Sequence, residues 1–313
     1  MVHNLIEFAR LKAYERKSFA IMVPTANYRG NGSRYLQDLL ESILLQTSND
    51  FIVIVIDHSK NNSIKDLVKS FDAQNFFYFK NIFHRGSWTF NSSAGIWLCG
   101  HSNVDYVKIM FQDDIFFAPN SLDIISKAFS SNPGHNWLCS SSAHFYDTGN
   151  SLQLLNNEFG VISTTGLVVT PQFNERLLYA ENYISCPSAV ALRNGLGVYF
   201  DKKLVLGGDC EFYWNLGARY GEPIIVREVL TCNRESRESL TTALYEGTVK
   251  STKRFRSGRK VRTRKDLHVW ELNYMQRKHG ARDASIQIGE TFFENLQISF
   301  KQVLRRFLDY WKK

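Results

Sequence analysis

Apolar residues in the first half of the chain come in short blocks that end in polar groups. Phe19 to Val23 is one block and stops at Pro24; Phe51 to Ile56 is another and stops at Asp57. Blocks that are apolar at every position predict strands buried on both faces, because a half-exposed strand alternates. Between them Leu36, Leu39, Leu40, Ile43 and Leu44 recur at helical spacing, which predicts a helix capped by Ser33 and hence a βαβ unit. The alternation continues. Ser63 to Phe71 predicts a short helix capped by Ser63, Phe76 to Phe79 a third strand, Asn91 to Cys99 a helix, and Val104 to Phe111 a fourth strand closed by Asp113 and Asp114. Pro119 suits the first turn of a helix running to Phe129, and Trp137 to Ser140 reads as a fifth strand. This order predicts an α/β fold with a mostly parallel sheet flanked by helices, whose ligands sit at the C-terminal ends of the strands.

After Asn150 the pattern weakens. Phe159 to Thr170 is rich in β-branched residues, Pro187 to Leu192 reads as a strand and Asp209 to Tyr220 as a helix, so the sheet is expected to become mixed. Beyond Leu240 follow a basic segment, a helix over Asp266 to Lys278 and a last helix over Thr291 to Lys313. The expected division is one domain over residues 1–242 and a basic, helical C-terminal extension over residues 243–313.

Composition narrows the class. With 23 Phe and 14 Tyr in 313 residues the chain has the large apolar groups a core requires, which excludes intrinsic disorder. No run approaches the roughly 18 consecutive apolar residues of a membrane span. Glu7, Arg10, Lys12, Glu15 and Arg16 interrupt the apolar residues of the N-terminus, so no secretory leader is expected. Cys99, Cys139, Cys186, Cys210 and Cys232 are widely spaced without a C-x-x-C, which fits reduced thiols in a cytoplasmic protein better than a disulfide frame or a zinc site. The formal net charge is +8, and residues 250–265 alone carry nine basic and no acidic groups. That charge belongs to the segment and not to the fold. The sequences H-E-x-x-H, G-x-S-x-G, G-x-G-x-x-G and G-x-x-x-x-G-K are absent, which removes the common signatures of zincins, α/β hydrolases, dinucleotide binders and P-loop enzymes.

Candidate chemistry gathers at the strand ends: Pro24, Thr25 and Asn27 after the first, Asp57 and Ser59 after the second, Asp113 and Asp114 after the fourth. In an open α/β sheet these converge on one crevice. Adjacent carboxylates repel unless a cation or hydrogen-bond donors compensate; a divalent ion holding diphosphate oxygens is one solution, and a solvated turn ahead of a helix is the other. Asp57 and Asn91 also admit plain structural roles, as a turn cap and a helix cap.

Taken in order, FAIMVPTANYR, YLQDLLESILLQT, IVIVIDHSKNN, Asn91 followed by small residues, VKIMFQDDIFF, SCPSAVALR, LGGDCEFYWNLGARYG and CNRESRESLTT resemble the family-2 inverting glycosyltransferases with the GT-A fold, over about residues 19–242. The resemblance implies that Pro24, Thr25, Asn27 and Asp57 hold the nucleotide base and ribose, with Ala26 and His58 in place of the family's usual aromatic residue and second carboxylate and Tyr28 as a stacking face. It places Asn91 near the sugar nucleotide, Asp113 on sugar and ribose, and Asp114 on Mn²⁺ or Mg²⁺ bridging the diphosphate, while Phe111 replaces an earlier Asp of the pattern. Asp209 matches the base that deprotonates the acceptor hydroxyl; Glu211 is the competing base, and capping of the helix is the structural alternative for Asp209. Arg234 and Arg237 match a loop that closes over the diphosphate, Arg237 standing where many relatives have a metal-binding His; the alternative is a surface paired with Glu235 and Glu238. The implied function is metal-dependent, inverting transfer of a sugar from a nucleoside diphosphate sugar, a UDP-sugar first, to a hydroxyl of a glycan or lipid-linked acceptor.

Two other readings stay open: nucleic-acid binding through residues 250–265, where Phe255 is the only aromatic, and a relative that binds a nucleotide sugar without turning it over. The apolar stripe Phe292, Phe293, Leu296, Phe300, Val303, Leu304, Phe307, Leu308 and Trp311, flanked by Lys301, Arg305, Arg306, Lys312 and Lys313, suits either an anionic membrane surface or packing against protein, including a second subunit. The expected location is cytoplasmic, peripheral on the membrane face.

Overall fold

The computed structural model describes residues 2–27, 30–83, 86–146, 175–180, 182, 184–235 and 264–280. The expected strand over Phe159 to Thr170, the last helix, Tyr28, Arg237 and the basic segment up to residue 263 lie outside the described residues. Strands β1 (Lys17–Thr25), β2 (Phe51–Asp57), β3 (Phe76–Lys80) and β4 (Val104–Ile109) form a parallel array. The two-residue β5 (Ile115–Phe116), β6 (Trp137–Tyr146), β7 (Val190–Arg193) and β8 (Ile224–Glu235) complete one eight-stranded sheet in the order β3-β2-β1-β4-β7-β6-β8-β5. Strand β7 runs antiparallel to both β4 and β6, so the sheet becomes mixed where the sequence pattern weakens.

The apolar blocks of β1 and β2 are explained by layers on both faces. Phe19, Ile21, Val23, Val53 and Val55 pack against α2 (Gly32–Leu44), α3 (Ser63–Ser70) and α5 (Ser121–Ser131) through Leu36, Leu40, Ile64 and Ile125. The alternate residues Ala20, Met22, Ile54 and Ile56 pack on the other face, with α4 (Trp88–Cys99) and α6 (Gly208–Tyr220). All five cysteines are free thiols, four of them buried.

Several boundaries differ from expectation for local reasons. Helix α2 begins at Gly32 without a Ser33 cap, because Asn27 reaches over from the preceding loop and accepts the Gly32 N–H at 3.1 Å. Helix α3 does begin at Ser63, but its N-cap is Asn62, with no side-chain cap. Pro119 precedes α5, whose N-cap is Asn120. Pro187 to Ala189 form a 3-10 turn ahead of β7, and Ser87 caps α4 through the Phe90 N–H, three residues before the expected start. Two elements are additions. Helix α1 (Val2–Ala13) lies along the outer edge of β3, where Asn4 and Arg10 bond the Lys80 and Phe76 backbone and shield the edge from further pairing. Strand β8 takes in Cys232 to Glu235, so Arg234 belongs to the sheet and not to a loop.

Helix α7 (Arg264–Lys278) docks Leu272 and Met275 onto Leu178 and Leu204. Among the described residues no helix is long and apolar enough to cross a membrane.

The tightest interlayer contact is at Gly95 of α4, where a Cβ would stand 2.6 Å from Met22 Sδ and 2.7 Å from Ile56 Cδ1. Gly95→Ala should cost ~1–3 kcal/mol in denaturant melts through overpacking. Gly100→Ala, whose Cβ meets nothing closer than 3.4 Å, should stay near wild type; equal costs for the two would refute the packing account.

Candidate active site

The loop after β1 is held by a network the sequence did not suggest. Gln112 accepts from the Ala26 N–H at 2.7 Å and from the Thr25 hydroxyl, and donates to the Ala26 carbonyl at 3.0 Å. Asn27 donates to Ser63 Oγ at 2.8 Å, and its backbone N–H donates to Ser59 Oγ at 2.7 Å. Pro24 lies in β1 opposite Ile56, one residue before the strand ends at Thr25. The loop therefore arrives at the crevice with its backbone fixed.

Asp57 is fully buried, and both oxygens are used within the protein. Oδ1 accepts from the Ser59 N–H at 2.6 Å; Oδ2 accepts from Tyr78 Oη at 2.6 Å and Lys80 Nζ at 2.7 Å. Neighbouring His58 places Nε2 2.9 Å from the Phe83 carbonyl, so that nitrogen carries a proton. Asn91, buried inside α4, donates to the Ile56 carbonyl at 2.8 Å and accepts from Asn81, tying the ends of β2 and β3 together.

Asp113 and Asp114 follow β4 as expected, but they face differently. Asp113 is half-buried, whereas Asp114 turns inward to accept from Ser188 Oγ at 2.5 Å and from the Arg234 N–H at 3.2 Å. Burial, with Asp113 beside it, raises the Asp114 carboxyl to about 7. Beneath this turn Lys108, 1% exposed, donates to the Ser188 carbonyl, and burial lowers its ammonium to about 7. Arg234 is committed as well. Its Nε donates to the Asp113 carbonyl at 3.0 Å, its Nη2 pairs with Asp38 at 2.6 Å, and its guanidinium lies 4.5 Å from the Tyr35 ring and 4.7 Å from the Phe145 ring.

Asp209 is the second residue of α6, after the N-cap Gly207. Its Oδ2 accepts from Asn182 Nδ2 at 2.8 Å and its Oδ1 from the Cys210 N–H at 2.8 Å, and burial raises its carboxyl above the ordinary aspartate value. Glu211 points elsewhere. It is fully buried and accepts from Lys278 at 2.5 Å, Asn215 at 2.7 Å and His279 at 3.1 Å. Against the opposing effect of burial, the His279 and Lys278 contacts hold its carboxyl below the ordinary value.

Residues 184–188 join the two carboxylate centres. Ser185 adopts a left-handed φ of 82°, a strained conformation for a residue with a Cβ, and accepts from Asn182 and Tyr213 on the Asp209 side. Three residues on, Ser188 reaches Asp114, and Cys186 Sγ donates to Asn233 at 2.9 Å. Thus the structure brings Thr25, Ala26, Asp113 and Asp114 together through Gln112 and Arg234, and links them to Asp209.

Among the described residues no three His, Cys, Asp or Glu side chains are grouped to hold a metal. The chemistry of the Asp113–Asp114 turn nevertheless fits a hard divalent ion, which in nucleotide sites takes one or two carboxylates and completes its shell with phosphate oxygens. Asp114's hydrogen bonds come from neutral groups, and a second carboxylate adjoins it.

No protein-family model matches the sequence, and no curated protein matches it significantly. Solved structures do resemble it. Staphylococcus aureus TarS superposes with a TM-score of 0.51 at 14% identity, covering 87% of this chain and 46% of that one, so the chain spans about half its length. TarS residues 1–349 in complex with UDP-GlcNAc give 0.52 at 15% identity, covering 71% of this chain and 60% of that one. The same fragment with UDP gives 0.52 at 14% identity, covering 88% and 77%. The architecture is therefore the GT-A glycosyltransferase fold, a mixed sheet flanked by helices.

Lys108 yields a pH signature. Between about 7 and the 10.5 of a free lysine the unfolded chain binds the proton that the folded protein has released, so stability rises with pH across that window. Urea melts from pH 7 to 9 should show a rising midpoint that Lys108→Met flattens; an unchanged slope in the variant would place the titration elsewhere.

Proposed function

We propose that the protein is an inverting, metal-assisted glycosyltransferase that moves a sugar from a nucleoside diphosphate sugar, a UDP-sugar first, to a hydroxyl of a glycan or lipid-linked acceptor. The observation that carries this is the joining of two carboxylates of raised proton affinity, Asp114 and Asp209, by one short segment at the strand ends of a GT-A sheet.

Asp209 is the base of the reaction. It is only partly buried, which leaves its carboxylate open to an acceptor hydroxyl. It takes the acceptor's proton as the acceptor oxygen bonds to the anomeric carbon; the bond to the diphosphate oxygen breaks on the opposite face and the nucleoside diphosphate departs with that electron pair. A free aspartate, with a pKa of ~3.9, is a weak base for an alcohol, and burial strengthens this one. Glu211 is excluded from the role because its ion pairs keep it buried and ionised, and a capping role for Asp209 is disfavoured because Gly207 holds the cap position.

Asp113 and Asp114 would hold the divalent ion, which when bound neutralises charge on the departing diphosphate. Thr25, Ala26 and Asn27 line the donor side with backbone fixed by Gln112 and Ser59. Arg234 acts through the carboxylate turn, holding Asp113 by its carbonyl and Asp114 by its side chain.

Asp209→Asn should keep the thermal shift given by UDP-GlcNAc with Mn²⁺ yet lose on the order of 10² to 10⁴ in kcat. In the wild type the acid limb of kcat should lie above the ordinary aspartate range, since kcat falls as Asp209 gains its proton. A variant with wild-type kcat would remove Asp209 from the mechanism.

EDTA should abolish sugar transfer, with Mn²⁺ restoring it, and Asp114→Asn should eliminate the Mn²⁺-dependent part of UDP binding. Full activity in EDTA would refute the metal's part.

A further inference from the structure

The turn that delivers Asp209 is gripped from two sides. Glu271 of α7, 1% exposed, accepts three consecutive backbone N–H groups: Val205 on Oε1 at 2.6 Å, Leu206 on Oε2 at 2.9 Å and Gly207 on Oε2 at 2.8 Å. The carbonyls of the same turn are taken by α4, with Trp88 Nε1 donating to Val205 at 2.8 Å and Thr89 Oγ1 to Leu204 at 3.2 Å. There is no slack. A Cβ at Gly207 would stand 3.0 Å from Met275 Cε, and one at Gly208 would stand 2.7 Å from Thr89 Cγ2.

Helix α6 has no side-chain cap of its own. The N–H groups of Val205, Leu206 and Gly207, which lead into the helix, would otherwise need water, and a carboxylate at a helix N-terminus also meets the favourable end of the helix dipole. Glu271 fills that position from 64 residues along the chain. The far end of α7 is tied to the same helix, because Lys278 and His279 both bind Glu211 and Lys278 also binds Asp201 at 2.8 Å. Lys278 and His279 hold Glu211 and Asp201, whereas Glu271, with Met275 packed beside it, meets the turn that sets where Asp209 stands.

We propose that Glu271 is a positioning residue for the transfer reaction, fixing the Val205–Gly207 turn and through it the place of Asp209. Its catalytic part rests on the reading of Asp209 as the base; the grip on the turn does not. Misplacing a reacting group by about 1 Å costs on the order of 10²-fold, so Glu271→Gln should lower kcat by about 10- to 100-fold. Glutamine keeps the shape but presents an NH₂ to donors that need an acceptor.

The test uses the full chain. In Glu271→Gln, amide hydrogen exchange at Val205 to Gly207 should quicken at least about tenfold, the thermal shift given by UDP with Mn²⁺ should persist, and turnover of UDP-GlcNAc should fall in kcat with KM for the donor unchanged. Tyr274→Phe, which removes a contact from α7 to Asp201 without touching the turn, should keep wild-type kcat. Should Glu271→Gln fail to fold, Glu271→Asp, which keeps the charge one methylene short, is read in the same way. Unchanged exchange, unchanged kcat beside an inactive Asp209→Asn, or an equal kcat loss in Tyr274→Phe would each overturn the inference. If Asp209→Asn itself retains turnover, the assignment of the base fails, and the exchange result still decides whether Glu271 holds the turn.

Discussion

A sheet covered on both faces leaves little place for polar side chains except toward the ends of its strands, and much of this structure follows from that constraint. Strands β1 and β2 are buried almost throughout, so Thr25, Asp57 and the Asp113–Asp114 turn are the first polar groups each strand end can offer. Parallel pairing of β1 with β2 and β4 then brings those ends to one edge. The site is a consequence of burial before it is a consequence of chemistry.

The same burial requires each charge to be compensated, and the manner of compensation differs among them. Asp57 has Lys80, Tyr78 and a backbone N–H; Arg234 has Asp38 and two aromatic faces; Glu211 has Lys278 and His279. Asp114 and Asp209 differ from these, since their hydrogen bonds come from hydroxyl, thiol, amide and backbone donors without an ion-pair partner among the described residues. Burial accordingly raises the proton affinity of both. On the proposed reading, one holds a cation and the other takes a proton.

How far the sequence was legible depended on whether the signal was local. Uniform apolar blocks announced β1 and β2, and polar residues closing them announced the crevice, because strand burial leaves its mark residue by residue. Strand β8 was hidden by exposed Arg227 and Glu228, which fall near register shifts against Ser140 to Ser142 of β6 and so break the expected alternation. Arg234 was read as a loop residue for that reason. Gln112, Ser188, Asn182 and Glu271 carried no local mark at all. Each acts through partners far along the chain, and a buried glutamate in a charged helix such as RKDLHVWELNYMQRK looks like a solvated one.

Glu271 also shows why position and basicity at Asp209 are not separable. Burial raises the proton affinity of the partly buried Asp209 at the start of α6, and the preceding turn is pressed between Trp88 and Thr89 on one side and Glu271 and Met275 on the other. Releasing the turn would expose the carboxylate further and return it toward the ordinary aspartate value, weakening the proposed base as well as displacing it. Asp114 is placed by β4, by the Arg234 N–H of β8 and by Ser188 just ahead of β7. Placing Asp209 takes α7, a helix beyond the stretch that resembles the family-2 glycosyltransferases, so on the proposed reading the position of the base depends on a segment that the resemblance does not reach.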